Sequence, residues 1–244
     1  MEWNRLIHGD CLDEMKKLPS GSIDLIVTSP PYNLKNSSGN GMKDGRGGKW
    51  KNAKLINGYS TYHDSMPYES YVQWQRDCMK EMLRLLPDDG AIFYNHKWRV
   101  QNGILQDRYE IVKDFPVRQI IIWRRKGGIN FNRSYFLPTY EVIYLIAKPD
   151  FKLVPKANAY GDIWEFSQET KNPHPAPFPI PLIDRIISST YAETVLDPFI
   201  GSGTTAIAAI KNNRKYLGID IAEDYINIAN ERIEKFTKQE SIKF

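Results

Sequence analysis

"VLDPFIGSGTTAIAA", Val195 to Ala209, decides the fold. An apolar run ends on Asp197, Gly201 and Gly203 follow, and a helix-forming run begins at Thr204. Glycine lets the backbone turn tightly and approach a ligand, and the helix that starts there offers N–H groups without partners. The next apolar run, "KYLGID", ends on Asp220, about 20 residues after the glycines, where a βαβ unit brings an acid to ribose hydroxyls. Two glycines alone would serve a packing turn equally well. Strand, loop, helix, strand and acid in sequence point to a nucleoside site. The loop matches neither GxxxxGK[ST] nor GxGxxG, which disfavours an ATP phosphate cradle and a dinucleotide pyrophosphate. S-adenosylmethionine, one nucleoside with an amino-acid tail, fits a short loop headed by an acid, with Asp197 set to meet its cationic α-amino group.

Outward from this unit, short apolar runs alternate with helix-length segments along most of the chain, the pattern of an α/β sheet. The expected strands are Arg5–His8, Ile23–Thr28, Ala91–Asn95, Arg118–Trp123, Glu141–Ala147, Thr194–Asp197 and Tyr216–Asp220. The expected helices are Leu12–Leu18, Tyr68–Leu86, Trp98–Tyr109, Ile180–Thr190, Thr204–Asn212 and Ala222–Phe236. Between Arg118 and Ala147 two apolar runs are joined by a polar loop without a helix, so they read as an antiparallel pair.

Two stretches break the pattern. Residues 34–66 are rich in Gly, Asn, Ser and Lys, and a loop that long is uncommon in a compact domain unless it has a function or is disordered. Its Lys35, Arg46, Lys49 and Lys51, near Trp50, Tyr59 and Tyr62, suit a phosphate backbone and stacked bases. An ordinary surface loop has the same composition. Residues 148–173 form a second, shorter irregular stretch.

The other segment with chemistry is "IVTSPPYN", Ile26 to Asn33. Two prolines end any sheet ladder, because proline has no backbone donor and a fixed φ. The corner resembles that of the DNA amino-methyltransferases, whose target, an exocyclic amine conjugated to a base ring, is a poor nucleophile, and two acceptors taking its two hydrogens would free the lone pair. The Ser29 hydroxyl and the Pro30 carbonyl are such acceptors, Pro31 stiffens the corner, and Tyr32 offers a flat face worth roughly 1–3 kcal/mol in stacking on a base. A strong general base is not required before transfer, and His96 reads as packing. Trp98 and Trp164 also read as packing or rim residues. Arg124, Arg125 and Lys126, at the end of a strand, would suit DNA phosphate or a solvated hairpin tip equally.

Composition sets wide bounds. A length of 244 residues suits one domain, and a net charge of +4 permits a nucleic-acid partner without demanding one. Cys11 and Cys78 have no metal spacing and fit a reducing compartment. No apolar stretch is long enough to span a bilayer, and "MEWNRLIHGD" lacks the apolar core of a signal peptide. The expectation is a cytoplasmic protein away from membranes.

TSPPYN, HPAPFP and DPFIGSGTT, in that order, resemble the DNA amino-methyltransferases, which methylate adenine N6 or cytosine N4 with S-adenosylmethionine. The resemblance runs from Leu6 to about Phe236, and the catalytic segment preceding the cofactor loop is similar to the β-class, a circular permutation of the common order. It implies a single Rossmann-like methyltransferase domain over 1–244, with a seven-stranded, mostly parallel sheet and one antiparallel strand. It implies cofactor contacts from Asp10, Asp197, Phe199, Gly201, Gly203, Thr204 and Asp220, with His174, Pro175 and Phe178 closing the methionine end. Ser29, Pro30, Pro31 and Tyr32 fall on the catalytic tetrapeptide, and the target base would be flipped out of the duplex. Many relatives carry a larger target-recognition region where this chain has 148–173, so reading of the DNA falls partly to 34–66. Serine at the head of the tetrapeptide, and HPAPFP rather than HPTQKP, favour cytosine N4 over adenine N6. The implied partners are DNA and, if the chain belongs to a restriction-modification pair, a cognate endonuclease, with the chain a monomer or homodimer. A methyltransferase acting on RNA or protein glutamine, and an inactive DNA-binding relative, are the readings from other classes; the intact tetrapeptide and glycine loop argue against the second.

Overall fold

Apolar runs too short for helices, set between amphipathic segments, build an open twisted sheet covered on both faces. The computed structural model describes residues 1–33, 66–101, 103–125, 133–169 and 178–241. Within them lie strands β1 (Arg5–His8), β2 (Leu25–Thr28), β3 (Ala91–His96), β4 (Arg99–Gln101), β5 (Ile104–Gln106), β6 (Val117–Arg124), β7 (Tyr140–Ala147), β8 (Ile163–Glu165), β9 (Thr194–Asp197) and β10 (Lys215–Asp220). The helices are α1 (Cys11–Lys16), α2 (Tyr68–Leu85), α3 (Tyr109–Val112), α4 (Ile180–Ser188), α5 (Thr204–Lys211) and α6 (Glu223–Ser241). None of the described helices is long and apolar enough to cross a membrane.

The sheet order is β1-β10-β9-β2-β3-β7-β6-β8. Of its neighbouring pairs, only β3–β7 and β7–β6 are antiparallel, so β7 alone runs against the others, as the polar β6–β7 connection led one to expect. The expected seven strands become eight because Ile163–Glu165 pairs with β6, Trp164 opposite Trp123. That strand is three residues long, with only Trp164 turned inward, so it leaves almost no periodic signal. It fixes part of the 148–173 stretch to the sheet edge rather than leaving it as a separate unit.

One expected helix is corrected. Trp98–Tyr109 forms the β4–β5 hairpin instead, with Val100 opposite Leu105, and then the short α3. Gly103, at φ +78°, turns the hairpin, and Arg108, at φ +61°, sits in the left-handed region and stops any helix from running through it.

Period-two alternation divides the core. Leu25 and Val27 pack on one face of β2 with Ile183, Ile187 and Ala206, under α4, α5 and α6. Ile26 faces the other side with Met79 and Met82 of α2, under α1, α2 and α3. Each fully buried methionine contributes about 1.5–3 kcal/mol by leaving water. Cys11 and Cys78 meet on this second side, thiol sulfurs 3.7 Å apart and both buried.

Because β1, β10, β9, β2 and β3 are parallel, their C-terminal ends share one edge, which the N-terminal end of antiparallel β7 joins. The Ser-Pro-Pro-Tyr corner after β2 and the glycine loop after β9 lie there.

Candidate functional site

The glycine loop leaves the end of β9. Gly203 takes φ +82°, and a side-chain carbon there would lie 2.9 Å from Ala229 of α6, so only glycine permits this approach. Gly203 caps α5 without any side-chain partner, and Thr204 and Thr205 open the helix. Asp197 is buried and organises the loop: Thr28 Oγ1 and the Phe199 amide donate to its Oδ1 at 2.7 and 3.0 Å, and Thr205 Oγ1 donates to Oδ2 at 2.7 Å. Burial pushes its carboxyl up to about 6 against the pull of those hydrogen bonds.

At the end of β10, Asp220 accepts from the Gly201 amide at 2.9 Å and from the Ala222 amide at 2.9 Å. Burial raises its carboxyl above the ordinary range, with those amides opposing. β1 pairs with β10 so that His8 lies opposite Asp220, and the Gly9 amide donates to the Asp220 carbonyl at 3.0 Å. Asp10 follows at once and caps α1, accepting from the Leu12 amide at 2.9 Å. The three acids far apart in sequence therefore share one stretch of the sheet edge. Phe199 reaches across to Trp74 of α2, ring centroids 5.7 Å apart.

The Ser-Pro-Pro-Tyr corner leaves β2, the strand beside β9. Ser29 is partly exposed and Pro30 buried. Tyr71 of α2 donates its hydroxyl to the Pro31 carbonyl at 2.9 Å, with His96 Nε2 2.7 Å from the same hydroxyl. On its other side, His96 Nδ1 lies 3.3 Å from the Lys97 carbonyl. Burial, with Arg108 adding to it, lowers this imidazole to about 3, and it stays neutral. The packing role expected of His96 is the one observed.

Tyr32 differs from the expectation. It is 5% exposed, one ring face lies on His96 at 4.8 Å between centroids, and its hydroxyl points inward. The open stacking face read from the sequence is not present in this structure. The hydroxyl instead lies 2.6 Å from Ser29 Oγ and donates to Glu141 Oε2 at 3.0 Å. Asn95 Nδ2 donates to Tyr32 Oη at 2.6 Å and to Glu141 Oε2 at 2.7 Å.

The basic residues are also redistributed. Arg125 is corrected: its side chain is largely covered and pairs with Glu141 Oε1 at 3.2 Å, serving the site rather than DNA phosphate. Arg124 is exposed and already held by Glu165 at 2.5 Å across β6–β8. Phe178 packs in the core against Trp123, 6.2 Å between centroids. Lys35, Arg46, Lys49, Lys51, Lys126, His174 and Pro175 lie outside the described residues. Glu141, Asn95, Tyr71 and Arg125's inward role were missed by sequence reasoning. A single acid inside the apolar "YEVIYLIA" was the available signal for Glu141.

A parallel edge carrying a glycine loop, three acids and a rigid Ser-Pro-Pro-Tyr corner defines a nucleoside-dependent transferase. Residues 23–231 match the DNA methylase family, whose members modify N6 or N4 amines, and the chain belongs to that family. It is 30% identical to the type II methyltransferase M.HpaI of Haemophilus parainfluenzae, over 94% of this chain and 74% of that one. In fold it resembles the cytosine-N4-specific PvuII DNA methyltransferase, with a TM-score of 0.72, 18% identity, and 96% of this chain and 89% of that one covered. It also resembles the Thermus thermophilus protein TTHA0409 in complex with S-adenosyl-L-methionine, with a TM-score of 0.68, 23% identity, and 95% and 93% covered.

Proposed function

We propose that this chain transfers a methyl group from S-adenosylmethionine to the exocyclic amine of a base flipped out of DNA, cytosine N4 in preference to adenine N6. The observation that carries the reading is the Thr28–Asp197 hydrogen bond, which sets the end of the Ser29 strand directly beside the glycine loop.

The donor set suits the cofactor. Asp220 and Asp10 are acids at the ends of adjacent strands, Phe199 and Trp74 form an apolar wall, and α5 begins without a side-chain cap. Asp220 would hold the ribose hydroxyls, Asp10 the adenine, and Asp197 with the amides of the loop the amino-acid tail. Bound there, the cofactor supplies an electrophilic methyl group and leaves as a neutral thioether.

The chain's own residues do the rest. Ser29 Oγ and the Pro30 carbonyl accept the two amine hydrogens and draw the nitrogen toward a tetrahedral shape. The double proline and the Tyr71 hydrogen bond hold that corner still, so the acceptors need not reorganise during transfer. Alignment of amine and methyl group supplies much of the acceleration. Flipping the base costs a few kcal/mol of unstacking, which DNA contacts must return. A serine, where adenine-directed relatives usually carry Asp or Asn, favours cytosine. The name of M.HpaI as a type II enzyme supports a cognate restriction endonuclease as partner.

Incubating the protein with labelled S-adenosylmethionine and, separately, duplex DNA, structured RNA and a protein extract tests the reading. Label is expected in DNA alone; label confined to RNA or protein would overturn it.

A further inference from the structure

Glu141 is a buried acid that the mechanism above leaves unused. It sits at the start of β7, 5% exposed, on a strand otherwise apolar at its neighbours. Its two oxygens are held from opposite sides: Arg125 pairs with Oε1 at 3.2 Å, while Tyr32 and Asn95 donate to Oε2 at 3.0 and 2.7 Å.

Counting hydrogens fixes the direction of the chain. Tyr32 has one hydroxyl hydrogen, and a carboxylate is a stronger acceptor than a hydroxyl, so it goes to Glu141. The 2.6 Å contact between Ser29 Oγ and Tyr32 Oη then needs the Ser29 hydrogen. Ser29 thereby gives its hydrogen to Tyr32 and keeps its lone pairs as acceptors, with Asn95 Nδ2 a long 3.4 Å from the same oxygen.

We propose that Ser29, Tyr32 and Glu141 form a proton relay in which Glu141 positions the Ser29 lone pairs and takes up the proton shed by the methylated amine. This rests on the reading of the chain as a DNA amino-methyltransferase. As the N–C bond forms, the methyl–sulfur bond breaks with its electron pair going to sulfur, and the amine nitrogen becomes cationic. Its proton passes to Ser29 Oγ, the Ser29 hydrogen to Tyr32 Oη, and the Tyr32 hydrogen to Glu141 Oε2. The amine is left neutral and Glu141 protonated, and the acid returns its proton to solvent before the next turnover. Serine alone is a poor proton acceptor, and the relay supplies a carboxylate behind it. The groups facing Glu141 are Arg125 beyond β6, Lys97 and Asn95 at the end of β3, and the Tyr32 phenol, with neutral His96 behind that ring.

The test compares Glu141→Gln, Tyr32→Phe, their double variant and Glu141→Asp in single-turnover methylation of duplex DNA. Each of the first two should slow transfer by roughly 100-fold, the scale of proton-transfer catalysis, with cofactor affinity within about twofold of the parent. The double variant should be no slower than either single, and Glu141→Asp should recover part of the rate. Separately from activity, the Tyr32 hydroxyl proton in ¹³C-tyrosine-labelled protein should give a slowly exchanging downfield signal that Glu141→Gln abolishes. Parent-like rates in both single variants, losses that multiply in the double, or no such signal in the parent would overturn the relay. If Glu141→Gln fails to fold, Tyr32→Phe and Glu141→Asp decide it by the same criteria. A parent protein that methylates no DNA overturns the functional reading instead.

Discussion

Thr28 donates its hydroxyl to Asp197 at 2.7 Å, joining the strand that carries the catalytic corner to the strand that carries the cofactor loop. The two residues are 169 apart in the chain, and both are buried. Thr28→Val keeps the shape and removes the donor, leaving a buried carboxylate with one partner fewer. The expected loss is about 1–3 kcal/mol of stability, the cost of an unmet buried group. Cofactor affinity and turnover should fall together, because one bond holds both segments. Urea unfolding and calorimetric titration of S-adenosylmethionine check this; a stability loss with unchanged cofactor affinity would separate the two.

Asp197 makes cofactor binding sensitive to pH. Its carboxyl is raised to about 6 by burial, and the ionised form is the one that attracts an ammonium group. Affinity should be level above about pH 7 and roughly tenfold weaker at pH 5, since each unit below the pKa removes about tenfold of the ionised form. The same shift has a stability sign. A raised folded value contributes stability that is fully present below the unfolded value of 3.8 and lost as pH rises through about 6. Asp197→Asn should flatten the binding profile and gain stability relative to the parent as pH rises from 4 to 7.

His96 works the other way. Its folded value of about 3 lies below the ordinary 6.5, so its contribution is present above 6.5 and lost as pH falls toward 3. Between pH 6.5 and 5 the parent should lose about 2 kcal/mol more than His96→Gln, from 1.36 kcal/mol per unit. Denaturant melts at the two pH values measure the difference, and equal losses would show that His96 is not held neutral.

Asn33 Nδ2 donates to the Met66 carbonyl at 2.8 Å, so the residue before the 34–66 insertion meets its last residue. A short Gly-Ser link should therefore replace it without disturbing the sheet. Cofactor affinity is expected to stay within about twofold, while DNA affinity falls and its dependence on salt becomes shallower as lysine contacts are lost. Unchanged DNA binding would remove the insertion from the recognition surface.

The cofactor half of the site was legible because its signals are local. Gly201, Gly203 and the acids Asp197 and Asp220 lie on one βαβ unit, where turn chemistry and strand ends coincide. The antiparallel β7 was legible for the same reason, since a polar connection without a helix leaves few topologies. The Glu141 network was not. It assembles from β2, β3, β7 and the end of β6, and only the pairing of β3 with β7 makes neighbours of Asn95 and Glu141. Arg125 was misread because a basic residue at a strand end looks solvated until its partner is known. Trp98–Tyr109 failed as a helix because Gly103 and Arg108 act through left-handed backbone, which side-chain periodicity does not report.

The role proposed for Ser29 is to present acceptors to an exocyclic amine, cytosine N4 above adenine N6. The direct measurement is mass spectrometry of nucleosides digested from duplex DNA that the purified protein has methylated. N4-methylcytosine is the expected product. N6-methyladenine would contradict the choice of base, and 5-methylcytosine, or no modified nucleoside, would contradict the mechanism itself.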